Sequence, residues 1–223
     1  MTDTVDREAL SRMIAGAAAR IRAEHAWLSD LDSVVGDGDH GTAMLRIVDC
    51  LEKALADSPA EPFPAWFGRA GWNVMDTDGG ASSSLLGLFF MGMADAIDKQ
   101  ISSLDGAGMA RAFAAGLSAV CKQTAARRGD KTMMDALIPA VDAFTAAVNS
   151  GGEIVKGLEE AAHAARSGSE STREMTARHG RARFVGEKSR GHQDPGSASI
   201  ALMFEGFYVG LSESQGEAPP CPI

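Results

Sequence analysis

Three carboxylates crowd one short stretch of the chain. Asp32, Asp37 and Asp39 fall within Leu31-Asp32-Ser33-Val34-Val35-Gly36-Asp37-Gly38-Asp39-His40-Gly41-Thr42, between two amphipathic segments. If that seam folds tightly the like charges converge, which is costly unless a cation neutralises them. A hard, oxygen-seeking ion such as Mg2+ suits the purpose and usually keeps coordination positions for phosphate oxygens. Taken alone, the stretch is equally compatible with a solvated acidic turn in which Asp37 or Asp39 caps the next helix. An EF-hand loop does not fit, because Thr42 stands at the sixth position, where that loop needs glycine.

Three further loops carry polar chemistry. Gly79-Gly80-Ala81-Ser82-Ser83-Ser84 opens an apolar segment, so its backbone N–H groups and hydroxyls could face an anion. No Gly-Lys-Ser/Thr follows, so it is not a Walker A loop, and a plain serine-capped helix start is the simpler alternative. In Arg128-Gly129-Asp130-Lys131-Thr132-Met133, Asp130 can cap a helix. Lys131 opposes the helix-dipole preference there, which suits a side chain facing phosphate or pairing with Asp130 or Asp135. The Gly180 to Gly196 stretch is too long and too rich in glycine for a plain turn, and Pro195 suits the first turn of a final helix. His25 and His163 are expected as helix-surface or packed residues, and His179 has no motif support. His192 is expected to orient its loop rather than to act as a general base.

The elements that must position these loops are helical. Leu10, Met13, Ile14, Ala17, Ile21, Trp27 and Leu28 keep a three-and-four spacing, and Met44, Ile47, Val48, Leu51 and Leu55 repeat it. Strand-like alternation is missing, so the chain is predicted to be all-α. Its breakers divide it into about eight segments joined by short loops, which favours an antiparallel bundle. Residues 1–216 are expected to form one domain, with 217–223 a frayed, proline-containing tail. Ala17 to Ala19, Ala114, Ala115, Ala161 and Ala164 need no role beyond close helix contact.

Charge and cysteine usage limit the partners. Against 30 acidic residues stand 21 lysines and arginines, a net charge of −9 that argues against a nucleic-acid or anionic-membrane binder. No uncharged apolar run approaches the roughly 20 residues of a spanning helix. Met1 to Glu8 shows no secretory signal, and Cys50, Cys121 and Cys221 suggest neither disulfides nor a zinc site. Cys50 and Cys121 are expected in the core and the protein in the cytoplasm.

Taken together, Asp32-x4-Asp37-Gly-Asp39-His40-Gly41, Gly79-Gly80-Ala81-Ser82, Gly129-Asp130-Lys131-Thr132-Met133, Gly180-Arg181-Ala182, Gly186-Glu187 and Gly191-His192-Gln193-Asp194-Pro195-Gly196 resemble the nucleotide-binding L subunit, or L domain, of dihydroxyacetone kinases. The resemblance runs in the family's order from about Leu10 to Leu211. It implies a barrel-like bundle of about eight helices with the nucleotide across the loops at one end. It also implies two Mg2+ ions on Asp32, Asp37 and Asp39, with ADP or ATP bridged to them. His40, Gly41, Thr42, Ala81 and Ser82 correspond to phosphate-contacting positions. Thr124, Met133, Arg181, Asp194, Pro195 and Gly196 correspond to positions around the nucleoside and its loops. Phosphoryl transfer to dihydroxyacetone or a related short ketose on a separate K subunit is implied, with Asp32, Asp37, Asp39 and Arg181 as the transfer apparatus. A phosphotransferase-system phosphocarrier is a possible donor to bound ADP, and exchangeable ATP the alternative. Three departures stand out: Ala43 where the family favours asparagine, Ser83-Ser84 where many members have Gly-Pro, and Thr124 to Arg128 in place of a glycine-rich approach. They keep open a second reading, a nucleotide-loaded regulatory module that signals through a protein partner. Arg127 and Arg128 are expected to face solvent.

Overall fold

The computed structural model describes residues 4–58 and 60–212. The tail expected at 217–223, and Cys221 with it, lies outside the described residues. Eight α-helices follow one another: α1 (Arg7–Val35), α2 (His40–Asp57), α3 (Phe63–Met75), α4 (Gly80–Asp95), α5 (Gly106–Gln123), α6 (Met134–Asn149), α7 (Ile154–Ser171) and α8 (Pro195–Ser212). Each packs on the next, and α8 packs extensively on α1, so the helices close into a ring. The one departure from all-helical structure among the described residues is a two-residue antiparallel ladder, β1 (Thr4–Val5) with β2 (Leu104–Asp105). It ties the chain before α1 to the α4–α5 connection, too short to leave an alternation signal.

Local signals set the helix ends. Asp6 accepts from the Ala9 N–H at the start of α1, and Asp105 accepts from the Gly108 N–H at the start of α5. Pro64 lies in the first turn of α3 and Pro195 begins α8, where a missing N–H costs nothing. Of the nine phenylalanines only Phe184 is exposed. Seven of the others form an unbroken series of ring contacts from Phe63 through Phe67, Phe90, Phe89, Phe113 and Phe204 to Phe207, and Phe144 joins it at Phe113, filling the space the ring encloses.

Ring closure depends on glycine. At the α1–α8 seam a Cβ on Gly206 would lie 2.3 Å from the Ala17 Cα, and one on Gly210 would lie 2.1 Å from the Arg12 carbonyl oxygen. The expected small-residue packing is therefore present, but glycine makes these closest approaches, while Ala19 and Ala114 face solvent. Cys121 is exposed and Cys50 only half-buried, which corrects their placement in the core. Cys121 faces solvent from α5, and Cys50 packs only partly against the core.

An up-and-down ring puts alternate connections at the same end. The α1–α2, α3–α4, α5–α6 and α7–α8 connections gather at one end, where they enclose a common cavity. At the other end, Arg7 donates to the Leu55 and Ser58 carbonyls and the Phe63 N–H to the Ile101 carbonyl. No described helix is long and apolar enough to cross a membrane. Because the α1–α8 seam has no room for a methyl group, Gly206→Ala should destabilise the protein by about 1–3 kcal/mol. That lowers the thermal midpoint by several degrees, as circular dichroism at 222 nm would register.

Candidate functional site

The last turn of α1 and the first turn of α2 bring the acidic seam together. Gly38, at φ +77°, turns the chain between them, and a Cβ there would meet the Ser33 hydroxyl at 2.5 Å. The Asp32 carboxylate accepts from the Asp39 N–H at 3.1 Å, which holds the turn against the end of α1. One carboxylate oxygen from each of Asp32, Asp37 and Asp39 then lies within 4.8 Å of the others. Asp39 stands at the helix cap but makes no capping hydrogen bond with its side chain, so the cap alternative is not realised there. Partial desolvation and the adjacent Asp37 charge push the Asp39 carboxyl above its usual range, against the pull of Arg181. Arg181, on the 3-10 turn at Arg181–Phe184, pairs with Asp37 and lies 3.9 Å from Asp39. Three exposed or half-exposed carboxylates, two of them beside one arginine, are a donor set that fits a hard divalent cation.

Beside the cluster is a cavity of about 370 Å3. Of the expected site residues, Asp32, Asp39, His40, Ala81, Ser82, Thr124, Met133, Arg181, Asp194, Pro195 and Gly196 line it. Asp37 meets it only through the carboxylate cluster, and Gly41 and Thr42 do not line it. Thr42 is exposed on α2. Gly41 lies against α1, where a Cβ would meet the His25 carbonyl oxygen at 1.8 Å, so its side of the helix serves packing. The departure Ala43 also faces the cavity, and Arg127 and Arg128 are exposed as expected.

Two helix starts open on this space unsatisfied. Neither α2 nor α4 has a side-chain cap, so the N–H groups of their first turns remain available to an anion. His40 sits between them, buried, with Nε2 3.1 Å from the Ser199 hydroxyl and Nδ1 3.4 Å from that of Ser82. Burial holds its imidazole below the usual value, so it is a neutral hydrogen-bonding bridge between α4 and α8. Across the cavity Asp194 accepts from the Ser197 N–H at 2.6 Å and starts α8. Burial pushes its carboxyl up to about 7, opposed by the Ser197 N–H and the Lys131 charge.

The α5–α6 connection differs from the sequence expectation. Asp130 caps no helix, since α6 starts at Met134. Its carboxylate accepts from the Arg127 N–H and contacts Arg178 and His179, the latter at 3.2 Å. His179, which no motif had marked, therefore lines the cavity with a carboxylate behind it. Lys131 lines the cavity but makes no ion pair with Asp130 or Asp135. It is buried and donates to the Thr172 and His192 carbonyls. Asp135 instead accepts from the Gly129 and Thr132 N–H groups and closes the loop on itself. His192 contributes its carbonyl to this loop contact, and its side chain is exposed.

The comparisons agree with this architecture. The DAK2 domain matches residues 34–209. The ADP-binding subunit DhaL of PEP-dependent dihydroxyacetone kinase 1 from Listeria innocua is 33% identical over 90% of this chain and 95% of its own length. The DhaL subunit of the PEP-dependent enzyme from Escherichia coli is 34% identical over 85% and 90%. The dihydroxyacetone kinase of C. freundii, solved in complex with AMP-PNP and Mg2+, superposes with a TM-score of 0.69 at 25% identity. That match covers 89% of this chain and 33% of the C. freundii chain, so this chain spans about a third of that protein.

The Arg127 N–H, then His179 and Arg178, hold the Asp130 carboxyl below the usual carboxylate range. Its contribution is present above the unfolded value near about 4 and is lost as pH falls through the lower folded value. The stability gap between the wild type and Asp130→Asn, measured by urea denaturation, should be largest at neutral pH and narrow below about pH 4.

Proposed function

The chain belongs to the DAK2-domain family, and on that premise we propose that it is the nucleotide-carrying phosphotransfer subunit of a two-component dihydroxyacetone-type kinase. The observation that carries this reading is the convergence of Asp32, Asp37 and Asp39 at the mouth of a cavity onto which two uncapped helix starts open. Mg2+, in two ions held by the three aspartates, would supply the neutralisation of charge that phosphoryl transfer requires.

The chain's own residues bind and orient. The first-turn N–H groups of α4, at Gly80, Ala81 and Ser82, and those of α2, at His40, Gly41 and Thr42, would bind phosphate oxygens of ADP or ATP. Gly41 and Thr42 would act through the backbone. Thr124, Met133, Pro195 and Gly196 would form the wall against the nucleoside, and Asp194 would hold the start of α8 in place. Arg181, already on the acidic cluster, would balance charge on the transferring group. Phosphoryl transfer is achieved chiefly by such positioning and charge compensation, so no nucleophilic side chain is required of this chain.

The acceptor would be a short ketose, triose or tetrose, held on a separate K subunit. That two DhaL relatives are named PEP-dependent supports a phosphocarrier protein as the donor to bound ADP rather than free ATP. Supplied with the K subunit, dihydroxyacetone and either labelled ATP or a phosphotransferase-system donor, the chain should form sugar phosphate with the donor system while retaining its nucleotide. Turnover on ATP with free nucleotide exchange would overturn the shuttle, and sugar phosphate from neither donor would overturn the kinase reading in favour of a regulatory module. Asp37→Asn should weaken ADP retention through gel filtration by at least about tenfold, a loss of about 1.4 kcal/mol, with the helical circular dichroism unchanged.

A further inference from the structure

Among the described residues Lys131 is the one buried lysine or arginine, and the one non-glycine residue with positive φ, at +60°. Burying an ammonium costs several kcal/mol unless its protons are bonded. Here the bonds go to backbone rather than to a carboxylate: Nζ donates to the Thr172 carbonyl at 2.6 Å and to the His192 carbonyl.

Those two carbonyls have a particular relation. Thr172 is where the chain leaves α7, and His192 is where it returns toward α8. Between them runs a strap of three 3-10 turns, Thr172–Glu174, Arg181–Phe184 and Gly186–Ser189. The strap has little apolar packing of its own, with Phe184 80% exposed. Its base is drawn together by the Gly191 N–H on the Arg173 carbonyl and by the Asp194 N–H on the Thr172 hydroxyl. Its middle is tied to the α5–α6 connection where the Arg178 N–H meets the Asp130 carbonyl. From that middle Arg181 reaches Asp37.

We propose that Lys131 is a positioning residue whose ammonium clamps both ends of the 172–194 strap, and so holds Arg181 on the acidic cluster and Asp194 in the cavity wall. Lys131 also lines the cavity, but both hydrogen bonds of its ammonium go to the strap, and through the strap it acts. Its consequence for ligand retention rests on the nucleotide reading of the site; the clamp itself does not. An uncharged residue of similar length would fill the space without holding the carbonyls.

Lys131→Met in the full-length chain tests this. The strap offers trypsin Arg173, Arg178, Arg181, Arg183, Lys188 and Arg190. Well below the unfolding midpoint, the variant should be cut in the strap about tenfold faster than the wild type, while Arg111 and Lys122 on α5 stay as protected as before. Fluorescent ADP, in Mg2+, should leave the variant faster by a similar factor. A lysine with a merely structural role would lower the midpoint and raise cleavage evenly along the chain. Strap cleavage at the wild-type rate, or an even rise, would overturn the proposal. If the wild type holds no ADP, the nucleotide reading fails, and strap cleavage still decides the clamp. Should the variant not fold, acetylation of wild-type lysines followed by mass spectrometry gives the second measure. Lys131 should label at least about tenfold more slowly than Lys53, Lys99 and Lys122, and equal labelling would overturn the clamp.

Discussion

Three aspartate carboxylates repel one another, and the site end of this protein is organised around that repulsion. At the separation observed for Asp32, Asp37 and Asp39, each pair costs about 1 kcal/mol in water and several times more where solvent is partly displaced. Nothing about α1 or α2 as helices demands that cost: Asp39 makes no side-chain cap, and Asp32 makes one hydrogen bond, from the Asp39 N–H of the turn. One arginine, Arg181, offsets part of it from a strap distant in sequence. A donor set with surplus negative charge, beside helix starts with free N–H groups, can accept a cation and a phosphate together but is poorly matched to either alone.

The ring makes this arrangement possible. Because each helix reverses the direction of the last, all the chemically distinctive connections fall at one end, and the starts of α2, α4, α6 and α8 with them. Closure at the α1–α8 seam fixes the position of α8, and with it Asp194, Ser199 and the bridge from Ser199 through His40 toward α4. Glycine contacts on the far side of the helices thus bear on the cavity. Gly41 shows the link in a single residue, since it belongs to the acidic motif yet its space is taken by α1.

Much of this was legible in the sequence because it was local. Three aspartates within eight positions announced the cluster, and small residues before an apolar run announced the uncapped start of α4. Helical periodicity gave eight segments. The side-chain partners of Asp130, Arg178 and His179, and the carbonyl partners of Lys131 were not legible, since they lie more than forty residues away and no local pattern encodes them. Lys131 is the instructive case: a cation beside two acidic residues suggests ion pairs, but in the folded protein its ammonium donates to two carbonyls of the α7–α8 connection. Cys121 misled for a different reason, because helical spacing alone does not say which face of a ring helix looks inward.

The central claim is that the carboxylate cluster and the cavity bind as one unit, coupled through a divalent cation. Linkage between ADP and Mg2+ measures it most directly: the affinity of the wild-type chain for ADP, by isothermal titration calorimetry, across a series of free Mg2+ concentrations from chelated to millimolar. The account predicts that ADP affinity rises steeply with free Mg2+ and is lost on chelation. ADP binding of equal strength with and without divalent cation would contradict it.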